Sequence, residues 1–311
     1  MLPQSVLSLI DLALHEDVGR GDITSEAVLP PGLWATAEVL VKQPARVAGL
    51  EVVRAVFQRM DPRVTVTPLL GDGVDVVDRT AVCRVSGPAA SILAGERTAL
   101  NFLARLSGIA TLTREAVRRL EGTRARLLDT RKTTPGWRYL EKYAVRVGGG
   151  MNHRFGLDDM VLIKDNHVAL AGGVAAAVAR ARARVGLSVK VEVEVDTLEQ
   201  LDEALSAGAD LILLDNMDTV ALRAAVARAA GRVPLEASGN MTLERLREVA
   251  NTGIDYISMG ALTHSATSVD VGLDVTLETE GRGGAPSAVL TADVAGHPAA
   301  ADAALAAGKR A

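Results

Sequence analysis

The sequence predicts an α/β protein in which helices and antiparallel strands precede a barrel of parallel βα units. Three observations lead there. After residue 122, apolar runs of four to seven residues alternate with Ala-rich, helix-compatible segments at the pitch of βα units. No glycine-rich nucleotide loop follows the first of these runs, which favours a barrel over a doubly wound sheet. Before residue 88 the alternation is absent, and Ala37, Val39 and Val41 alternate with Glu38, Leu40 and Lys42 as in a half-covered sheet. A length of 311 residues suits a barrel with an appendage, and 48% hydrophobic residues supply a sizeable core.

Taken in order, residues 5–15 have helical spacing, with Val6, Leu9, Ile10, Ala13 and Leu14 on one face. Residues 16–22 (EDVGRGD) read as a turn; Gly-Arg-Gly lacks the third glycine of a dinucleotide fingerprint. Strands are expected at 35–42, 46–50, 64–70 and 80–86, with a short helix at 51–60. From 88 to about 121 the pattern is helical, with Leu93, Leu100, Leu103 and Leu106 on an apolar face and Arg97, Asn101 and Arg105 recurring every four residues on another. Gly108 is expected to interrupt this helix. The barrel strands are then 125–128, 160–163, 189–195, 211–214, 233–236 and 256–259, with helices at 168–185, 197–207, 218–230 and 242–252. Residues 137–150 replace a standard unit with a longer, charged excursion. Residues 270–278 form a strand returning to the first domain, and 281–311, rich in small residues, read as a flexible tail.

Composition excludes several classes. A net charge of −4 with interspersed signs gives no electrostatic footprint for nucleic acid, and 3% aromatic residues offer no stacking platform. The single Cys83 excludes an internal disulfide and fits a reducing compartment. The N-terminal segment has neither a basic leader nor a cleavage site, and no apolar run reaches the ~18 residues of a membrane span. A cytoplasmic protein is expected. The five histidines show no HxH or HxxxH spacing, and there is no nucleophile elbow or P-loop.

In a parallel barrel the site forms where strands finish. The successive ends give Asp129, Arg131 and Lys132; Lys164, Asp165 and Asn166; Asp215 and Asn216; Ser238, Gly239 and Asn240; and Gly260 to Thr263. In VKVEVEVD, Lys190, Glu192, Glu194 and Asp196 share one face, which is costly unless it points into a polar mouth. Arginine forks suit carboxylates, the small loops after the last strands suit a phosphate, and Glu194 and Asp215 suit a divalent metal, sugar hydroxyls or a developing cation.

The segments EDVGRGDITS (16–25), GERTALNFLARLSGIAT (95–111), DTRKTTPGWRYLEKYAVRVGGGMNHRFGLDD (129–159), IKDNH (163–167), VEVEVDTLEQL (191–201), LLDN (213–216), EASGN (236–240) and MGALTHS (259–265) together resemble quinolinate phosphoribosyltransferase, also called nicotinate-nucleotide pyrophosphorylase (carboxylating). The resemblance runs from about residue 10 to 276. It implies an N-terminal open α/β sandwich domain over 1–110, joined by about 270–280, and an incomplete parallel βα barrel over 111–269. It implies transfer of phosphoribosyl from phosphoribosyl pyrophosphate to quinolinate with decarboxylation, a step of NAD biosynthesis, with Mg2+ and no organic cofactor. By the same resemblance Arg131, Lys132, His153, Arg154 and Lys164 bind the two carboxylates, and Thr130 joins the substrate-binding set. Glu194 and Asp215 serve the ribose and the magnesium-pyrophosphate. Ser238, Gly239, Asn240, Met259, Gly260 and Ala261 take the 5′-phosphate. Lys132, Lys164, Glu194 and Asp215 form the catalytic set. Arg97 reaches the site of a partner subunit, which implies a homodimer. Three rivals are a lyase with Lys164 as Schiff base, a relative of the same fold linked to molybdenum transport, and a non-catalytic binding or scaffold protein.

Overall fold

The structure is a computed structural model that describes residues 2–277; the expected tail over 281–311 lies outside them. The first half contains α1 (Gln4–Val18), α2 (Ile23–Val28), β1 (Trp34–Val41), β2 (Ala45–Arg46), α3 (Leu50–Met60), β3 (Thr65–Pro68), β4 (Asp75–Val76), β5 (Thr80–Pro88) and α4 (Ala89–Arg119). The second contains β6 (Arg126–Leu128), α5 (Arg138–Val147), β7 (Val161–Ile163), α6 (Asp165–Ala171), α7 (Val174–Arg182), β8 (Val191–Val195), α8 (Leu198–Ala207), β9 (Leu211–Asp215), α9 (Thr219–Ala229), β10 (Leu235–Ser238), α10 (Leu243–Ala250), β11 (Tyr256–Ser258), α11 (Ala261–His264) and β12 (Val271–Leu277).

Two sheets organise these elements. An antiparallel sheet runs β12-β1-β5-β3, so the strand expected near 270–278 does return to the first sheet, pairing along β1 from Ala35↔Leu277 to Val41↔Val271. A parallel sheet runs β6-β11-β10-β9-β8-β7 and stays open between β6 and β7. Its strands alternate with helices, as the periodicity predicts. Val191, Val193 and Val195 of β8 and Ile212 and Leu214 of β9 are buried between sheet and helices. No helix among the described residues is long and apolar enough to cross a membrane.

Several expectations are corrected. The strand expected at 46–50 is only the two residues of β2, because the Asp72 carboxylate accepts the Gly49 and Leu50 N–H groups at 2.8 and 3.1 Å and starts α3 instead. Part of the turn expected at 16–22 is helix: α1 continues to Val18, and Asp22 caps the short α2. Gly108 does not interrupt α4, which is continuous; a Cβ there would lie 2.1 Å from the Thr267 carbonyl oxygen, so glycine lets the chain entering β12 cross the helix. The helix expected at 168–185 divides into α6 and α7 at Gly172 and Gly173. The charged excursion at 137–150 holds α5. Gly148 at its end packs against α4, where a Cβ would lie 2.5 Å from Thr113 Cβ and 2.7 Å from the Ala110 carbonyl.

α4 ties the two sheets together. Arg105, part-buried on this helix, donates to the Ala266 carbonyl at 2.7 Å, to the Glu141 carboxylate at 2.9 Å and to the Thr263 carbonyl. Glu141, fully buried on α5, also accepts from Thr134 N at 3.1 Å and Thr134 Oγ1 at 2.9 Å. The loop after β6 is thereby fixed to α4, α5 and the turn after α11.

Candidate active site

The carboxyl ends of the six parallel strands surround a cavity of about 880 Å³. Each strand contributes to it. β6 leads to Thr130, Arg131 and Lys132, and β7 to Lys164; β8 supplies Glu194, and β9 leads to Asp215 and Asn216. β10 leads to Ser238, Gly239 and Asn240, and β11 to Gly260 and Ala261. His153 and Arg154, from the segment after α5, complete the cationic side. Of the residues that the resemblance assigns to substrate, two are not among the lining groups: Met259 is buried, its N–H donating to the Leu128 carbonyl at 3.0 Å, and Arg97 is exposed on α4.

The cationic side rests on a buried ion pair. Lys142 of α5 and Asp129 at the end of β6 are 1% and 0% exposed and in direct contact. Asp129 also accepts the His153 N–H at 2.9 Å and the Asn152 amide at 2.6 Å, while Lys142 donates to the His153 carbonyl at 3.2 Å. Burial pushes the Asp129 carboxyl up and the Lys142 ammonium down, each opposed by the attraction of the other. The pair thus clips residues 152–153 to β6 and sets Arg154 into the cavity wall, where burial and the neighbouring Arg131 lower its guanidinium pKa. Two arginines held so close, one of them part-buried, call for an anionic ligand.

The opposite side is built from backbone in unusual conformations. Asn216 and Asn240 both have positive φ, 53° and 48°, and Gly239 has φ 95°. Asn216 N donates to the Ser238 carbonyl at 3.0 Å, its side-chain amide donates to Asp215 at 2.6 Å, and its side-chain oxygen accepts from Asn240 at 3.1 Å. A Cβ at Gly239 would sit 2.2 Å from that oxygen. Asp215 and the Ser238–Asn240 turn are one unit, next to the start of α10 at Leu243. Thr263 Oγ1 donates to the Lys132 carbonyl at 2.7 Å, so the Gly260 loop and the cationic loop are also joined.

The charged face expected on β8 is corrected. Lys190 and Asp196 are exposed and outside the cavity lining, because the strand spans only Val191–Val195. Glu194 is at the mouth in an ion pair with Lys164. Glu192 is fully buried beneath the mouth, beside His153 and Glu236. His153 Nε2 lies 3.0 Å from Glu192 and 3.5 Å from Glu236. Its Nδ1 accepts the Arg154 N–H at 2.7 Å, which places the ring proton on Nε2. Burial opposes charge on this imidazole, but Glu192, with Glu236, outweighs it and raises the pKa. Motif and spacing do not mark Glu236 as a site residue. Its signal was a lone acid in the four-residue strand LEAS, at period two from Ser238.

Residues 22–107 match the quinolinate phosphoribosyl transferase N-terminal domain, and residues 109–274 match the C-terminal domain. The chain is 46% identical over 265 residues to a Bacillus subtilis protein named probable nicotinate-nucleotide pyrophosphorylase (carboxylating), covering 85% of this chain and 91% of the relative. It is 44% identical over 269 residues to the nicotinate-nucleotide pyrophosphorylase (carboxylating) of Mycobacterium leprae, covering 85% and 94%. Among solved structures, NadC from Streptococcus pyogenes superposes with a TM-score of 0.87 at 40% identity, covering 90% of this chain and 99% of that one.

Proposed function

Because the chain belongs to the quinolinate phosphoribosyltransferase family, we infer that it joins quinolinate to phosphoribosyl pyrophosphate with loss of carbon dioxide, giving nicotinate mononucleotide and pyrophosphate. The observation that carries this reading is the division of one cavity into a cationic side at Arg131, Lys132, Arg154 and Lys164 and a phosphate-type loop at Ser238–Asn240 and Gly260, with Glu194 and Asp215 between.

The residues act as follows. Arg131 and Arg154 take the carboxylates of quinolinate, with Lys132 and Lys164 alongside and Thr130 at the base of the loop. His153 serves this side by holding the Arg154 N–H through Nδ1. The Ser238 hydroxyl and the N–H groups of Gly239, Asn240, Gly260 and Ala261 take the 5′-phosphate, and buried Met259 supports that loop from behind. The pyridine nitrogen is already a nucleophile, so no strong base is required. Departure of pyrophosphate leaves oxocarbenium character on the ribose, which Glu194 and Asp215 stabilise. Their oxygens suit magnesium, and since neither belongs to a three-ligand group among the described residues, the bound pyrophosphate would supply the remaining ligands. Such an ion would neutralise the leaving group. Once ribosylated, the ring nitrogen is cationic, and its charge stabilises the electron pair left on the adjacent ring carbon as carbon dioxide departs.

Arg97, exposed on α4 and away from the cavity of its own chain, is free to complete the site of a second copy, and a homodimer follows from that role. The lone Cys83 is buried, its thiol pushed up to about 12 by burial, so it is not a nucleophile of this site. The reading is tested by mixing the protein with quinolinate, phosphoribosyl pyrophosphate and magnesium. Nicotinate mononucleotide is expected, and replacement of quinolinate by nicotinate should give far less product. Equal use of nicotinate would contradict the role of the paired arginines.

A further inference from the structure

Decarboxylation leaves a requirement that carboxylate binding alone does not meet. When the ribosylated ring loses the carboxylate beside its nitrogen, the electron pair of the broken C–C bond stays on the ring carbon. That carbon becomes C–H only by taking a proton. The inference that follows rests on the proposed reaction and concerns the source of this proton.

Glu236 is placed to supply it. β10 pairs with β9 through Glu236↔Leu213 and Ser238↔Asp215, and β8 pairs with β9 through Glu194↔Leu213. Glu236 therefore stands level with Glu194, two residues deeper than Ser238, on the same inward face. Its side chain lines the cavity but is fully buried, with both carboxyl oxygens covered, so the acid must turn outward to meet the ring. Around it are Glu192 and His153, with one ligating atom from each of the three within 4.8 Å of the others. A metal does not fit here, since the Arg154 N–H on Nδ1 leaves the ring proton on the Nε2 that faces the acids. None of the four carboxylate oxygens has a well-aligned hydrogen-bond donor. Two carboxylates in a dry floor with one imidazole between them do not both carry full charge. Burial and the charge of Glu192 push Glu236 up to about 8, with His153 and the Ser258 hydroxyl pulling the other way. Burial beside Glu192 favours the protonated form of Glu236, which is also the acid of the pair that lines the cavity. Lys132 and Lys164 are poorer sources: Lys164 is paired with Glu194, and both ammoniums are needed against substrate anions.

We propose that Glu236 is a catalytic residue of the decarboxylation step, its carboxylic acid O–H protonating the ring carbon that loses carbon dioxide. The C–CO2 bond breaks and its electron pair remains on the carbon. The Glu236 O–H bond breaks as the new C–H bond forms. Carbon dioxide leaves, Glu236 is left as a carboxylate facing His153, and water entering after product release returns the proton. Without this donor the carbanion recaptures carbon dioxide and the ribosylated dicarboxylate persists.

The test is Glu236→Gln in the full chain, which keeps shape and removes the acid. Single-turnover quench experiments with quinolinate, phosphoribosyl pyrophosphate and magnesium follow pyrophosphate, nicotinate mononucleotide and the ribosylated dicarboxylate. Pyrophosphate should form at nearly the wild-type rate, and mononucleotide should slow by at least ~100-fold, the usual contribution of a general acid, while the dicarboxylate accumulates. Equal slowing of both products, or slowing of neither, would overturn the proposal. A wild-type protein that releases no pyrophosphate with quinolinate would instead overturn the functional reading beneath it. Infrared spectra of the wild-type protein give a measurement independent of how the variant folds. A protonated carboxylic acid band is expected at pH 7 and should fade as pH rises through about 8; its absence at pH 7 would also overturn the proposal.

Discussion

Replacing Lys142 by Met removes one partner of the fully buried ion pair with Asp129 and keeps the length of the side chain. Breaking such a pair costs about 3–5 kcal/mol, because the remaining charge is left in a dry site. The structure sets an upper limit on the loss. Asp129 keeps two donors, the His153 N–H and the Asn152 amide, and it is free to escape its charge by taking a proton. Relative to an unfolded carboxyl near ~3.9, protonation at pH 7 spans about three pKa units, or about 4 kcal/mol. At pH 5 the same escape costs about 1.5 kcal/mol. The variant's folded-state carboxyl is raised above its unfolded value, so its penalty grows as pH rises and shrinks as pH falls. Urea unfolding followed by circular dichroism should therefore show Lys142→Met less stable by ~3–4 kcal/mol at pH 7 and by only ~1–2 kcal/mol at pH 5. A loss under ~1 kcal/mol at pH 7, or a loss that grows on acidification, would refute the reasoning.

Three further outcomes are expected. Gly108→Ala should stabilise a helix by ~1 kcal/mol on propensity alone, but its Cβ would meet the Thr267 carbonyl at 2.1 Å, so thermal unfolding should show a loss of ~1–3 kcal/mol; a gain would contradict the crossing. Arg131→Ala should raise the quinolinate KM strongly and spare binding of phosphoribosyl pyrophosphate, measured by initial rates and calorimetry, and equal loss of both would count against its role. Mixing inactive Arg97→Ala with inactive Lys132→Ala subunits should restore part of the activity; no recovery in verified mixed dimers would contradict a site shared between copies.

The barrel was readable because its strands are buried on both faces and appear as short apolar runs ending in charge. Lys164, Asp215 and Ser238 could be placed on that basis alone. α5 was hidden for the opposite reason. Its buried face, Leu140, Glu141, Lys142, Ala144 and Val145, includes two charged residues, so no apolar stripe marks it. Their partners, Arg105 and Asp129, lie 36 and 13 residues away on other elements, beyond the reach of helix periodicity, and the fold brings them together. Gly108 misled because glycine in a helical run reads as a break, whereas here it admits a crossing chain. Glu192 shared a period-two face with Glu194, but periodicity gives the face and not the depth. The step from mouth to floor changes Glu192 from a substrate-facing carboxylate into a buried neighbour of His153 and Glu236.

The central claim is that one cavity serves both a dicarboxylate and a phosphoribosyl donor and ends in loss of a carboxylate. Release of labelled carbon dioxide from quinolinate carrying the label in the carboxylate next to nitrogen tests it most directly. Release should require phosphoribosyl pyrophosphate and magnesium together and should match pyrophosphate formation one for one. Release without phosphoribosyl pyrophosphate, or pyrophosphate formed with no carbon dioxide, would contradict it.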